Sequence, residues 1–123
     1  GRNLDFPAQV SAQGASIVVE YAPQGKKRFL SATLPALVGV PTGMNQDGLV
    51  AAELEGLPKK LDFEGVPIMF LLRRALEECS SVAECVELIE AADRTTSTSY
   101  VFADSLGGVV AVDRRGDVEP VRF

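Results

Sequence analysis

The stretch Gly65–Glu84, GVPIMFLLRRALEECSSVAE, decides the fold class because the hydrophobic pattern of the chain changes there. Before it, apolar residues alternate with polar ones or form short runs, which is typical of strands. Within it, they recur at about 3.6-residue spacing. The apolar stripe consists of Ile68, Leu71, Leu72, Ala75, Leu76 and Cys79. With Pro67 suited to a first helical turn, the pattern predicts an amphipathic helix of about three turns.

A second helix is predicted directly after the first. Ser81 and Glu84 form a capping box, in which the Ser side chain accepts a hydrogen bond from the Glu backbone N–H and the Glu side chain reaches back. The apolar residues that follow the cap should point inward: Val82, Cys85, Val86 and Ile89.

Strand patterns lie on both sides of this helical pair. Four precede it, at Ala15–Tyr21, Lys27–Leu34, Ala36–Val40 and Leu49–Leu54, and three follow it, at Tyr100–Ala103, Val109–Val112 and Val118–Phe123. Turn signals separate several of them, and 95–99 reads as a polar connection. The order of four strands, two helices and three strands predicts an α+β fold with the helices on one face of an antiparallel sheet.

Composition bounds the function classes. The chain of 123 residues is 46% hydrophobic, so we expect residues 1–123 to form a single domain. Its net charge of −5, without a concentrated basic patch, argues against nucleic acid as a partner. Its apolar runs fall far short of the roughly 20 residues of a membrane span. Nothing in the sequence assigns a compartment.

The chain contains no His and two Cys residues. Catalytic triads that need His are therefore excluded, as are a Cys–His pair and a conventional zinc site. Two cysteines are too few for a disulfide framework. No cofactor or metal is predicted.

Asn45 lies in the turn sequence Met-Asn-Gln-Asp-Gly at residues 44–48. Asn tolerates positive φ and hydrogen-bonds its own backbone in turns. We therefore predict a structural role for Asn45 in preference to a contact with substrate.

The opening segment Gly1–Pro7 holds the densest set of functional residue types, although on their own Arg2 and Asp5 would be a solvated pair. Its sequence Gly-Arg-Asn-Leu-Asp-Phe resembles the motif that follows the nucleophile strand in the choloylglycine hydrolase, penicillin V acylase and acyl-coenzyme A:isopenicillin N acyltransferase group. This is a group of N-terminal-nucleophile (Ntn) hydrolases. Three further segments resemble its hairpin, helix entry and second helix cap, in the same order: Thr42–Leu49, Gly65–Arg73 and Cys79–Glu84.

The resemblance implies a fold and a site. The fold is a four-layer α/β/β/α sandwich, of which this chain supplies a part. The nucleophile is an N-terminal Cys exposed by autoproteolysis, with its own α-amino group as the base. Arg2 matches the Arg beside the sulfur and Asp5 the Asp that orients the amine, so both are implied to be catalytic. Phe6, with Pro7, is implied to wall the substrate pocket.

Glu55 is also implied to face the substrate. It falls where several relatives carry an Asn whose backbone amide contributes to the oxyanion hole. A backbone donor survives a change of side chain, but Glu would place negative charge near a developing oxyanion. This departure implies a different substrate or a displaced loop.

Two residues that the group requires have no counterpart in this sequence. The nucleophilic Cys is expected before Gly1, and an oxyanion-hole Asn after Phe123. Cys79 and Cys85 fall on the helical stripes, where Cys behaves as a small hydrophobe. We therefore expect a truncated Ntn domain that does not hydrolyse amides on its own, whereas the complete enzyme would hydrolyse a small acylated amide or transfer its acyl group.

Two other interpretations stay open from the sequence. One is a non-catalytic binding or assembly module that retains the fold, and the other is an unrelated small α+β protein with coincidental motifs. Loss of the nucleophile strand would expose a sheet edge and an apolar face. We therefore expect a homo-oligomer that covers them by sheet pairing or stacking.

Overall fold

The computed structural model describes residues 15–55, 63–93, 95 and 98–114, with Glu55 and Arg114 described by their backbone alone. These residues form six strands and two helices. The elements are β1 (Ile17–Tyr21), β2 (Phe29–Thr33), β3 (Thr42–Asn45), β4 (Val50–Glu55), α1 (Ile68–Glu78), α2 (Val82–Ala91), β5 (Thr98–Ala103) and β6 (Val109–Arg114).

The strands form one antiparallel sheet in the order β1-β2-β3-β4-β5-β6. Each strand therefore pairs with its neighbour in sequence. Only the step from β4 to β5 is long, because the two helices are inserted there. The α+β class and the antiparallel sheet predicted from the sequence are confirmed.

Alternation along the strands gives the sheet two unlike faces. On β2, Phe29, Ser31 and Thr33 are buried and the residues between them are exposed. The buried set continues across the other strands through residues such as Ala51 and Phe102, which pair with each other. Helix α1 packs on β3 and β4, and α2 on β5 and β6. We call the other side of the sheet, on which neither of the described helices packs, the open face.

Helix α1 buries the stripe that the sequence predicts: Ile68, Leu71, Leu72, Ala75 and Leu76, followed by Cys79 at the C-cap. Pro67 is the N-cap, with ψ of 139°, and so precedes the first helical turn. Two i,i+4 ion pairs, Arg73–Glu77 and Arg74–Glu78, lie on the exposed side. Such pairs add a few tenths of a kcal/mol each, and burial of the stripe holds the helix in place.

Helix α2 begins with a modified capping box. The Ser81 hydroxyl accepts a hydrogen bond from Glu84 N at 3.3 Å, as predicted. The Glu84 carboxylate, however, accepts from Ser80 N at 2.7 Å, one residue before the cap. Cys85, Val86 and Ile89 are buried, and Val82 is partly buried against them.

Two glycines let α1 lie close to the chain beneath it. A Cβ at Gly43 would come within 2.6 Å of Leu30 O and 2.7 Å of Leu76 Cδ1. A Cβ at Gly39 would meet Met69 Cβ at 2.7 Å. Side chains at either position would push the helix or a strand away.

The prediction of a strand at Ala36–Val40 is wrong. Leu34–Leu37 is a turn closed by the bond from Leu37 N to Leu34 O (3.2 Å), with Pro35 as its second residue and Ala36 at φ 65°. Positive φ at the third position is the mark of a type II turn. The third strand is instead Thr42–Asn45, within the segment expected to form a hairpin.

Of the strands predicted after the helices, one begins earlier than predicted and one is not described by the structure. Strand β5 begins at Thr98, inside the expected polar connection. The strand predicted at Val118–Phe123 lies outside the described residues. In the part of the chain that the structure describes, one sheet and one helical layer are present, which correspond to two of the four predicted layers.

No helix among the described residues is long and apolar enough to span a membrane.

Candidate functional site

The structure does not bring the predicted site residues together. Arg2, Asp5 and Phe6 lie outside the described residues. Glu55 is the last residue of β4, and its backbone pairs with Thr98 of β5. The roles of all four residues stay predictions.

At its C-terminal end, β4 extends beyond the last residue that pairs with β3. The register with β3 ends at Thr42–Ala52, and beyond it Glu53 N donates to Pro41 O at 3.2 Å. On the other edge, Thr98 Oγ1 donates to Leu54 O at 2.9 Å. Because backbone N–H groups alternate sides along a strand, Glu55 N–H points to the same side as Glu53 N–H, toward the Pro41 loop and away from β5.

Sequence reasoning missed the buried carboxyl group of Glu53. Glu53 is 3% exposed and pairs in register with Tyr100, which is 0% exposed. Both side chains share the helix-facing side with Ala51. The signal was present in the sequence, since Leu49, Ala51 and Glu53 alternate onto one face. This pair belongs to the core and does not line the open face.

The opposite end of the sheet is held by a polar network around Asn45. Its Nδ2 donates to Leu76 O at 3.1 Å and to Cys79 O at 2.8 Å, at the C-terminal end of α1. Its Oδ1 accepts from Asp47 N at 3.0 Å and Leu49 N at 3.1 Å. The side chain thus joins the β3–β4 turn to α1, which confirms the structural role predicted for Asn45.

Two carboxylates, Asp47 and Asp104, bind turn and helix-end groups in a similar way. Asp47 accepts from Lys27 Nζ at 2.6 Å and from Ser80 Oγ at 2.9 Å, and these bonds hold the pKa of Asp47 below its usual range. Asp104 accepts from the backbone N–H groups of Val82, Gly108 and Leu106, which lower its pKa in the same way. Both groups therefore fasten turns to helix ends as anions.

The two cysteines lie in the core between α1 and α2. Cys79 is 4% exposed and Cys85 0%, and no disulfide joins them. Contact with the Cys79 thiol, together with burial, raises the pKa of the Cys85 thiol. A buried thiol with a raised pKa is a poor nucleophile, which applies to Cys85. The hydrogen bond with Cys85 instead lowers the pKa of the Cys79 thiol, and burial keeps that thiol from solvent. The core role predicted for both residues agrees with their position.

No group of three His, Cys, Asp or Glu residues that could hold a metal ion occurs in 15–55, 63–93, 95 or 98–114. One groove in this part of the chain runs between α2 and β6 and includes Glu87, Glu90 and Asp104. Ser81, which also borders it, uses its hydroxyl to cap α2. The groove therefore contains carboxylates but, among the described residues that line it, no activated nucleophile.

Comparison with known proteins places the chain in a family. The model of the acyl-coenzyme A:6-aminopenicillanic acid acyl-transferase family matches residues 1–117. The chain belongs to this family. The match includes the opening segment with Arg2 and Asp5 as well as the whole sheet and both helices.

Solved structures share the fold of this acyl-transferase family member at low sequence identity. A Caenorhabditis elegans ortholog of N-acylethanolamine-hydrolyzing acid amidase matches 99% of the chain with a TM-score of 0.78 and 17% identity. Penicillin V acylase from Agrobacterium tumefaciens matches 79% with a TM-score of 0.63 and 22% identity. A variant of conjugated bile acid hydrolase from Clostridium perfringens matches 90% with a TM-score of 0.65 and 19% identity. The fold is that of the Ntn hydrolases.

The chain spans only part of these proteins, namely 56%, 32% and 43% of their respective lengths. An uncharacterized protein from Archaeoglobus fulgidus is 23% identical over 129 residues, which cover all of this chain and 21% of that protein.

Proposed function

We propose that this chain is a sheet-and-helix unit of an Ntn enzyme that hydrolyses a linear, non-peptide amide or transfers its acyl group. The observation that carries the proposal is the family match over residues 1–117. The names of the similar structures supply candidate substrates: N-acylethanolamines, penicillin V and conjugated bile acids. Each candidate is a small acylated amide.

In this proposal, four residues serve an N-terminal Cys nucleophile. Arg2 lowers the pKa of the thiol, Asp5 orients the α-amino base, and Phe6 walls the substrate pocket. Glu55 contributes its backbone N–H to the oxyanion hole. The direction of that N–H, toward the side of the Pro41 loop where the β3 ladder has ended, supports the last role.

The 123-residue polypeptide alone is proposed to be inactive. The family nucleophile is a thiol, and both thiols of this chain, Cys79 and Cys85, are buried beneath the helices. With no His in the sequence, no imidazole base can activate either of them. Activity therefore requires a nucleophile supplied from outside these residues.

The test compares this polypeptide with the product of its reading frame extended upstream of Gly1. Both are assayed against penicillin V, a glycine-conjugated bile acid and an N-acylethanolamine, and intact mass follows autoproteolysis and acylation. We expect turnover and an acyl-Cys adduct with the extended protein alone. Arg2→Leu and Asp5→Asn should then lower kcat/KM at least about 100-fold, whereas Arg28→Leu, which removes an exposed pair with Glu20, should not.

Amide turnover by the purified 123-residue polypeptide would contradict the proposed inactivity, and its loss on Cys79→Ser and Cys85→Ser together would identify a core thiol as the nucleophile. An extended protein without a processed Cys and without turnover would contradict the enzymatic proposal. That second outcome would favour the alternative of a non-catalytic assembly module.

A further inference from the structure

The third strand stops short of the end of β4. The register between β3 and β4 ends at Thr42–Ala52, whereas β4 continues to Glu55. If β3 began at Gly39 in the same register, Gly39 would lie directly opposite Glu55. The position of Gly39 therefore decides whether the Glu55 N–H is covered by a neighbouring strand.

The hydrogen-bonding pattern identifies the atom that would cover this N–H. Glu53 N donates to Pro41 O at 3.2 Å, which makes these residues a hydrogen-bonded pair of the antiparallel type. Such pairs recur at every second residue, so the next one would join Glu55 N–H to Gly39 O. Pro41 already weakens the ladder at this point, because it has no N–H to return to Glu53 O.

Three features hold Gly39 against α1 instead. Its φ is 101°, a backbone conformation that glycine adopts easily and that strands do not use. It packs closely on the helix, since a Cβ at this position would come within 2.7 Å of Met69 Cβ. The next residue, Val40, is buried and donates its N–H to Met69 O at 3.0 Å. The chain at 39–40 is thus bonded to the first turn of α1 and not to β4.

Two of these features require that residue 39 has no side chain. Gly39→Ala would disfavour the positive φ, and its methyl group would meet Met69 Cβ well inside the normal contact distance. Since α1 lies on one side of the sheet, movement away from it carries the chain toward the plane of the sheet. Residue 39 would then approach the edge of β4, where its carbonyl oxygen can accept from Glu55 N–H.

We propose that Gly39, packed on Met69, is a positioning residue of the oxyanion hole. It keeps the third strand off the end of β4 and so leaves the Glu55 N–H available to a developing oxyanion. This inference rests on the proposed function of Glu55 and adds the residue on which the open N–H depends. Gly39 acts through Glu55 and not on the substrate.

Hydrogen exchange resolved to single amides tests the geometry in the protein extended upstream of Gly1. Without any substitution, Glu55 N–H should exchange at least about 10-fold faster than Glu53 N–H, which is bonded to Pro41 O. Gly39→Ala should slow exchange at Glu55 at least about 10-fold. Equal protection of the two amides in the unsubstituted protein would overturn the proposal even if the variant failed to fold. Unchanged exchange at Glu55 in a folded variant would overturn it as well.

Kinetics test the consequence for catalysis in the same extended protein. Gly39→Ala should lower kcat for the amide substrate at least about 100-fold, the effect of losing one oxyanion-hole donor. KM and the rate at which iodoacetamide alkylates the N-terminal Cys should change less than about 2-fold, because alkylation of the thiol forms no oxyanion. A merely structural defect would slow the alkylation together with the turnover.

The matched control is Gly107→Ala in the β5–β6 turn. Gly107 has φ 90°, and a Cβ there would meet no atom within 4 Å, so this variant carries the backbone cost without the contact. It lies beyond the end of β5 that is remote from Thr98, the partner of Glu55, and should leave kcat unchanged. Adding Met69→Gly to Gly39→Ala removes the Cβ that the new methyl group meets and should restore kcat in part.

Several outcomes would overturn the proposal. These are an unchanged kcat in Gly39→Ala, a loss of kcat that Gly107→Ala or Cys alkylation shares, and a double variant no more active than Gly39→Ala alone. An extended protein without a processed Cys would contradict the proposed function itself. The exchange rates would then decide by themselves whether Gly39 keeps the Glu55 N–H open.

Discussion

Replacing Asn45 tests how the sheet and α1 are joined. Asn45→Ala removes all four hydrogen bonds of the carboxamide while leaving the backbone conformation accessible. The groups that lose their partner are Leu76 O and Cys79 O at the end of α1 and Asp47 N and Leu49 N in the turn. Because Asn45 is 4% exposed, water replaces the lost bonds poorly.

The expected cost follows from the number of bonds. At about 1 kcal/mol net for each hydrogen bond, the free energy of unfolding should fall by roughly 3 to 4 kcal/mol. Domains of this length have a total stability of about 6 to 18 kcal/mol, so the loss is a large share of it. Asn45→Asp should cost at least as much at neutral pH, since a carboxylate would face two carbonyl oxygens, and it should recover in part once acid protonates it.

Urea unfolding followed by circular dichroism measures these differences. Gln46→Ala is the matched control, because Gln46 makes a single exposed bond from Arg28 N to its Oε1 at 3.0 Å. It should cost less than about 1 kcal/mol. A loss below about 1 kcal/mol for Asn45→Ala would refute the reasoning that this side chain holds the turn to the helix.

Three other outcomes are expected. Ala36→Gly should raise the free energy of unfolding by about 0.5 kcal/mol in urea titrations. Glycine adopts the positive φ of this turn without strain, although it also raises the conformational entropy of the unfolded chain. As the control, Ala32→Gly in β2 should lower the free energy of unfolding. Asp104→Asn should destabilise the protein at neutral pH but not in acid: the pKa of Asp104 is lowered by folding, so its contribution is present above the pKa of the unfolded chain and is lost as the pH falls through the folded value. Thermal unfolding from neutral to acid pH checks this, and a pH-independent difference would contradict it. Cys79 and Cys85 should react with a thiol reagent far more slowly in the native protein than in denaturant, and a rapid native reaction would show that the core opens readily.

The helices were predictable because their signals are local. The stripe from Ile68 to Leu76 and the cap at Ser81 can be read from short windows, and burial of the stripe agrees with its period. The strands of strong alternation, such as β2 and β5, were found for the same reason. In these segments local preference and tertiary packing favour the same structure.

A strand was wrongly predicted within the loop at residues 34–41, because an apolar run can be buried without forming a strand. Val40 is 0% exposed, and its N–H donates to Met69 O at 3.0 Å, so the run is buried against α1 as a loop. Strand β3 was missed because its sequence, Thr-Gly-Met-Asn, has little β preference. Gly43 is required there by the close approach of Leu76, a contact that no local window contains.

The candidate site is predictable from the motif and only in part from the fold. The arguments for Arg2 and Asp5 depend on the resemblance, which the family match supports without assigning a role to either residue. For Glu55 the structure adds the direction of a backbone N–H. The buried Glu53 shows the opposite case, because the alternation of β4 contains the signal although no motif singles this residue out.

The insertion of both helices between β4 and β5 shapes the order in which the chain can fold. Connections of four to eight residues join strands β1 to β4, and one of five residues joins β5 to β6, so each group can form from local contacts. Pairing β4 with β5 must close the long connection between them, at an entropic cost about 2 kcal/mol above that of a short hairpin. Docking of α1 on β3 and β4, and of α2 on β5 and β6, shortens that search. We therefore expect the two halves of the sheet to fold as separate units and the seam between β4 and β5 to form last.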